Sequence, residues 1–588
     1  VNKKDSCPME IGYLKGIYMD CREMVVSEDF QSVILDYLLP EELLSPDENI
    51  CYQIVDGSLG VIYIERARRP QLSATQFLYR YIPQLYGLEG YPAAGGREFD
   101  PRSLEISGIL SQQRPPLELT GRGTIFALID TGISYENPVF RYSDGSSRIL
   151  ALWDQTDQSG EPPEGFVYGT EYTRERINEA LMAENPHEIV PQRDEIGHGT
   201  AIASIAAGSS LGGGVTFTGA APDAELVVVK LQPAKQYLRD YYMVKEGVPA
   251  YSTDDLLFAV KYVQQFAVPL QRPVVLCLGM GTSLGSHNGG SIFADYLQRV
   301  IGQLGVAAVI SGGNEGNSAG HFRAMLTGEF QPVEIRVGEN TRGFVAELWG
   351  TSPSAFRISL RSPGGEVIPN VDFRIARNLD YTFVYEKTRV TMNYLHNERN
   401  TGDDLIVMRL EAPTPGVWTI FVQGIRSTPQ VPFDIWLTGK EFQDGEVFFL
   451  TPEPEITLTM PSYVEDAVTV TSYNGANGSF YFNSGQGFSR TGRIKPDLAA
   501  PGVSVSTING PYSGGAVAAA VTAGAALQLM QWCVVEKNVP FVSGREIRSY
   551  LSRGAREEAA YTYPDRRWGY GRLDLQGTFD VIAGRFPG

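Results

Sequence analysis

Cysteine and histidine are scarce in this chain, with five of each in 588 residues. The cysteines (Cys7, Cys21, Cys51, Cys277 and Cys533) are odd in number, widely spaced and free of any C-x-x-C pair. Neither a disulfide framework nor a zinc site is expected from them. Long Lys/Arg stripes are missing and the formal charge is -19, which excludes a nucleic-acid or anionic-membrane partner, since both need a basic footprint. The acidity reads as solubility. Low-complexity tracts are absent too. Apolar residues at 43% and charged residues at 20%, with 63 glycines and 36 prolines, describe a turn-rich globular protein and not a disordered or fibrous one. No positively charged region followed by an apolar stretch opens the sequence, so a classical signal peptide is not expected. Residues 516 to 535 are the one stretch with the length and apolarity of a membrane span. Gly524, Gln528, Gln531 and a run of alanines point instead to a buried core helix.

What is present falls into three textures, and the length calls for two or three domains. Residues 1 to 95 carry a hairpin signal, Cys51 to Val55, then Asp56-Gly57, then Leu59 to Glu65, which suits a small α/β unit. Pro92 to Gly96 reads as a linker. From residue 96 to 320, short apolar runs (Ile125 to Ile129, Leu226 to Leu231, Val274 to Leu278, Val306 to Ile310) alternate with helical stretches at 254 to 266 and 292 to 304. That rhythm predicts βαβ units around a doubly wound, mostly parallel sheet. Between 321 and 455 it gives way to β-type runs such as Val333 to Val337, Phe344 to Leu348, Phe356 to Leu360 and Val417 to Val422. An all-β sandwich or jelly roll is expected there. The parallel texture resumes over 456 to 588, with Ala467 to Thr471 as a strand, so the β unit is an insertion.

Three segments carry chemistry. Leu128-Ile129-Asp130-Thr131-Gly132 ends an apolar run on an acid, Gly197-His198-Gly199-Thr200 opens a small-residue helix, and Ser513-Gly514-Gly515-Ala516 precedes the buried helix. Asp130 at a strand's carboxyl end can orient a histidine and stabilise its imidazolium; taken alone it reads as a turn-forming Asp before Thr-Gly. His198 is the one histidine framed by small residues, whereas His187, His287, His321 and His396 read as surface or structural. Asn314, in Gly312-Gly313-Asn314-Glu315-Gly316, reads by itself as a left-handed turn residue. In Leu278-Gly279-Met280-Gly281 the glycines permit close strand approach, which close packing alone also explains.

With Leu119 to Gly123, Asp194 to Thr200, Arg493 to Gly502 and Trp568-Gly569-Tyr570-Gly571 in the same order, the chain resembles a subtilase. Within that family it is similar to the Csp proteins of spore-forming clostridia. The resemblance implies a subtilisin-like α/β domain, a retained N-terminal prodomain (1 to 95) and an inserted jelly roll (321 to 455). It implies that Asp130 and His198 are the acid and base of a triad, Asn314 an oxyanion-hole donor, and Leu278 to Gly281 the substrate groove. The family pattern Ser-Gly-Thr-Ser-x-Ala places the nucleophile where this chain has Ala516, and Gly515 where the family has threonine. In subtilisin, loss of that serine costs about a millionfold in turnover, or about 8 kcal/mol of barrier. Ser513 lies before the helix, too far back to substitute.

Three functions follow as expectations. The chain is a catalytically dead pseudoprotease regulating spore germination or sensing a small-molecule germinant, partnered with an active Csp-type protease or a cortex-hydrolase zymogen, in the cortex or coat region of the spore. Alternatively it is an active endopeptidase in which Ala516 is an engineered substitution. A third possibility is a surface- or glycan-binding protein working through the β insertion. The prodomain tail, expected around Pro83 to Gly87, would occupy the substrate groove. No cofactor or metal is expected.

Overall fold

The computed structural model describes residues 20–36, 50–67, 79–96, 99–212, 217–326, 329–353, 355–371, 378–426 and 431–585. Its centre is an eight-stranded sheet in the order Leu498–Pro501, Val468–Tyr473, Val306–Ser311, Val274–Leu278, Ile125–Asp130, Glu225–Lys230, Ile149–Asp154 and Thr170–Thr173. All neighbours run parallel except the last pair. The five innermost strands are apolar or small almost throughout and buried along their length, as strands covered on both faces must be. On one face lie the helices His198–Ala207 and Gly515–Met530, fully buried and built of alanine, glycine and short side chains. Small residues let these two helices approach closely; a methyl group at Gly524 would lie 3.0 Å from the Ala206 carbonyl of the facing helix. The apolar stretch at 516 to 535 is thus the core of this domain. Thr253–Leu270 and Ile292–Ile301 cover the opposite face.

The expected β insertion is present as two antiparallel sheets. One has the order His321–Leu326, Val431–Leu437, Gly343–Gly350, Asp404–Glu411, Arg389–Leu395, Asn378–Thr382; the other Val367–Val371, Ala355–Arg361, Gly416–Arg426, Gln331–Val337, Val447–Phe449. They share one core that includes Val333, Phe344, Leu348, Trp418 and Ile435. Where the insertion meets the parallel domain, Trp436 is sandwiched between His287 and His321, with ring centroids 4.0 and 4.6 Å away. Burial holds His287 down to about 3, so the stack is neutral on that side. His321 is fixed by Asp434 (3.0 Å) and the Glu455 carbonyl (2.6 Å).

The N-terminal unit is a three-stranded antiparallel sheet, Phe30–Leu35, Leu59–Glu65, Ile50–Asp56, beside the short helix Cys21–Val26. The expectation of no disulfide is wrong here: Cys21 and Cys51 are bonded, tying this helix to the sheet. A small unit with little core gains most from such a staple, and the pair lacks any spacing signature by which the sequence could reveal it. Cys277 and Cys533 are free and buried; Cys7 lies outside the described residues. The helix is also the docking element. Arg22 donates to Gln158 (3.1 Å) and the Gly169 carbonyl (3.1 Å). Lys235, from the parallel domain, donates to the Ser27, Phe30 and Met24 carbonyls at 2.8, 3.1 and 3.4 Å.

Candidate active site

His198 begins its helix directly after Gly197, whose φ of 81° suits glycine. Asp194 satisfies the free amides of that first turn, accepting from Gly197 and Thr200 N–H at 2.8 Å each and from the Thr131 hydroxyl at 2.7 Å. Gly199 has no room for a side chain, since its Cβ would press on Asp130 Cβ at 3.2 Å and on the Gly132 carbonyl. The Gly-His-Gly-Thr run is therefore what lets the helix end sit on the strand end. His198 Nδ1 donates to Asp130 Oδ1 at 2.7 Å, both side chains being buried. Burial alone would pull the imidazole down, but the Asp130 charge and hydrogen bond, with Asp194 and Glu89, outweigh it and leave the pKa raised. That is the electrostatic condition a general base needs.

His198 Nε2 is buried without a hydrogen-bond partner among the described residues. Ala516, fully buried in the first turn of its helix, presents a methyl group to the same space. Ser513 is engaged elsewhere: it lies in the strand Gly510–Ser513, and its hydroxyl accepts from Ser504 N–H at 2.8 Å.

The groove is filled by the chain itself. The strand Leu85–Leu88 lies antiparallel between Tyr251–Ser252 and Met280–Gly281, with Leu85 opposite Ser252 and Leu88 opposite Met280. Glu89 N–H donates to the Gly279 carbonyl at 2.9 Å. The Glu89 carbonyl then accepts from Ala516 N–H and from Asn314 Nδ2, both at 3.0 Å. Asn314 is oriented by its own Oδ1, which accepts from Gly515 N–H at 3.0 Å. Past this point Tyr91–Pro92 pairs with Gly510–Ser513. The peptide held against His198 and Ala516 is thus Glu89–Gly90, and Gly90 is packed so closely that a Cβ would lie 2.8 Å from His198 Nε2. The expected tail, Pro83 to Gly87, ends two residues short of Glu89, whose carbonyl the two donors hold. Of the expected groove residues, Gly279, Met280 and Gly281 pair through their backbones, whereas the Leu278 side chain is buried in the core.

The Glu89 side chain turns into a pocket walled by Gly281, where Thr459 donates to its Oε1. Burial pushes its carboxyl up to about 7, with Ser311 and Thr459 hydroxyls opposing and the Glu315 charge assisting. Thr459 and the nearby turn Lys440–Phe442 come from the β insertion and the segment after it. Sequence reading missed both, because no local pattern marks a distant segment as a pocket wall.

A parallel core sheet, an aspartate and histidine in contact across it, and two donors converging on one carbonyl define a serine-protease-like site on a subtilisin-like fold. The subtilase family model matches residues 121–355 and 451–571, and the chain belongs to that family. It is similar to the CspB protease of Clostridium perfringens, with 27% identity and a TM-score of 0.72 over 82% of this chain and 99% of that one. It is also 27% identical over 321 residues to the subtilisin-like protease SBT1.9 of Arabidopsis thaliana; that match covers 50% of this chain and 39% of the plant protein.

Proposed function

We propose that this subtilase is a pseudoprotease whose groove is held by its own N-terminal unit and which regulates spore germination by binding. Asp130 and His198 are the inherited acid and base, Asn314 and the Ala516 amide the oxyanion donors, and Ala516 the vacated nucleophile position. One observation carries the reading: His198 Nε2 is partnerless and faces a methyl group while both donors hold the Glu89 carbonyl. A methyl cannot attack that carbon. The likeness to CspB supports partners of the same setting: an active Csp-type protease, or the zymogen of a cortex hydrolase, at the cortex or coat, with a small-molecule germinant as a further ligand. Intact-mass measurement of the purified chain beside Ala516→Ser tests the chemistry. The unaltered chain should keep its full mass, and the variant should split between Glu89 and Gly90. Splitting of the unaltered chain would overturn the reading. Affinity capture of a Csp-type protease or cortex-hydrolase zymogen from spore extract, confirmed by direct binding of the purified pair, tests the partners.

A second reading has support in the otherwise complete constellation: an active endopeptidase in which Ala516 replaces a natural serine. Cleavage of a cortex-hydrolase zymogen by Ala516→Ser, with no function of the alanine form in spores, would favour it.

A further inference from the structure

A cleft of about 750 Å³ lies far from the groove, where the three units of the chain meet. The N-terminal sheet supplies one wall with Gln31, Ser32 and Val33, and the tail adds Tyr79, Tyr81 and Ile82. The helix Gln236–Tyr241 of the parallel domain closes a second side with Tyr237 and Tyr241. The remaining wall is the β insertion, where Asp380, Thr391 and Arg409 stand abreast on three adjacent strands. Sites for drug-sized ligands span about 300–1,000 Å³, so the cleft has room for one.

The lining fixes the sign of an occupant. Arg66, Arg342, Arg389 and Arg409 are set against Asp240, Asp380 and Glu411, which leaves one positive charge in excess. The carboxylates are already served: Asp380 accepts from the Thr391 hydroxyl and Asp240 from the Gln236 amide, at 2.8 Å each, and Glu411 stands 3.2 Å from Arg409. Two of the arginines are not. Arg389, its side chain 57% exposed, approaches Asp380 and Glu411 only at 3.6 and 3.9 Å, beyond hydrogen-bond range. Arg66 is exposed and spends a single N–H, on the Glu28 carbonyl at 3.3 Å. Each guanidinium carries five N–H donors in one plane, a fork that matches a carboxylate.

The lining also selects a shape. Tyr81, Tyr237 and Tyr241 are half-buried and leave part of each ring open to the cleft. Flat cations already lie on two of them, Arg409 at 4.3 Å from the Tyr241 centroid and Arg66 at 5.6 Å from that of Tyr237. Aromatic rings and guanidinium planes both pack well on a further flat ring. We propose that this cleft binds a small aromatic carboxylate, its charged end held by Arg66 and Arg389 and its rings packed on the tyrosines. An occupant touches the N-terminal sheet, the tail, the parallel domain and the insertion together, so its binding free energy adds to the docking of the tail. The inference rests on how the three units meet. It holds whether position 516 carries a methyl or a hydroxyl, and needs no role in germination.

The test titrates the full chain with biphenyl-4-carboxylate at neutral pH and constant ionic strength. Biphenyl-4-methanol keeps the rings and loses the charge; 4-cyclohexylcyclohexanecarboxylate keeps the charge and loses the aromaticity. Calorimetry should show saturable binding of the aromatic carboxylate, weaker by about tenfold or more for either comparison compound. Binding should slow amide exchange at Gln31 to Val33 and at Tyr79 to Ile82. Arg66→Gln combined with Arg389→Gln should weaken the aromatic carboxylate by about tenfold or more, whereas Arg176→Gln, on the helix Arg174–Met182 outside the cleft, should leave it unchanged. Circular dichroism checks that the variants fold, and the exposure of Arg66 and Arg389 favours that they do. No saturable binding, equal binding of either comparison compound, or undiminished binding in the double variant would overturn the proposal. So would an equal loss in Arg176→Gln, or binding that leaves exchange at both segments unaltered.

Discussion

The Ser311 hydroxyl occupies the space into which any side chain at Gly515 would project. The same Cβ would also meet Gly313 N at 3.1 Å and Gly313 O at 3.3 Å. The departure from the family threonine at 515 is therefore matched by a neighbour and is not a second lesion. Gly515→Thr should destabilise the chain by roughly 1–3 kcal/mol, the range for overpacking a tight core. Adding Ser311→Ala should recover part of the loss, as chemical denaturation of the single and double variants will show. For the same reason Ala516→Ser should cleave better alone than with Gly515→Thr.

Gly90 sets the alignment of the held peptide. In the Ala516→Ser background, Gly90→Ala would push its methyl to 2.8 Å from His198 Nε2 and 3.3 Å from the Cβ at 516. Either the base or the peptide must move. A displacement of about 1 Å costs on the order of a hundredfold in rate, so a time course of self-cleavage by mass should slow by about that factor.

Stability should fall as Glu89 ionises. Its carboxyl stands at about 7 in the folded chain against 4.5 ordinarily, so its favourable contribution is complete below about 4.5 and is lost as pH rises through about 7. Glu89→Gln removes this dependence. The difference in unfolding free energy between parent and variant should shift by about 3 kcal/mol between pH 4.5 and 8, in favour of the variant at the higher pH. Paired denaturant titrations at the two pH values measure it.

The N-terminal unit should detach in two separable ways. Lys235→Met strands three backbone carbonyls at the docking helix, at a cost of roughly 2 kcal/mol. Reduction of Cys21–Cys51, which closes a loop with a sequence separation of 30, should cost about 3 kcal/mol. Each should speed clipping of the unit by an added protease, and the two together should exceed either one, while the parallel domain stays resistant.

The order of strands and helices was legible because apolar period and small-residue helices are local properties. Expected runs such as Val274 to Leu278 and Val333 to Val337 lie within observed strands. The hairpin around Asp56-Gly57 was readable for the same reason. Asp130, His198 and Asn314 could be singled out because each sits in a short run of glycine and small residues that close packing requires. The register of the tail could not. Which residue meets Asn314 is decided by pairing with Met280 and Tyr512, far away in sequence, and nothing within Leu85 to Gly90 marks the position. Thr459 and Lys440 were invisible as pocket walls, and the disulfide was ruled out by counting cysteines where only proximity decides.

The tail strand between Tyr251–Ser252 and Met280–Gly281 is covalently part of the molecule it blocks. A free peptide competing for those edges meets a rival at an effective concentration of about millimolar. A free peptide of the same intrinsic affinity present at about micromolar concentration would displace only about a thousandth of it. With the tail docked, the cleft of this fold is an internal joint, and the proposed binding role then falls to the outer faces.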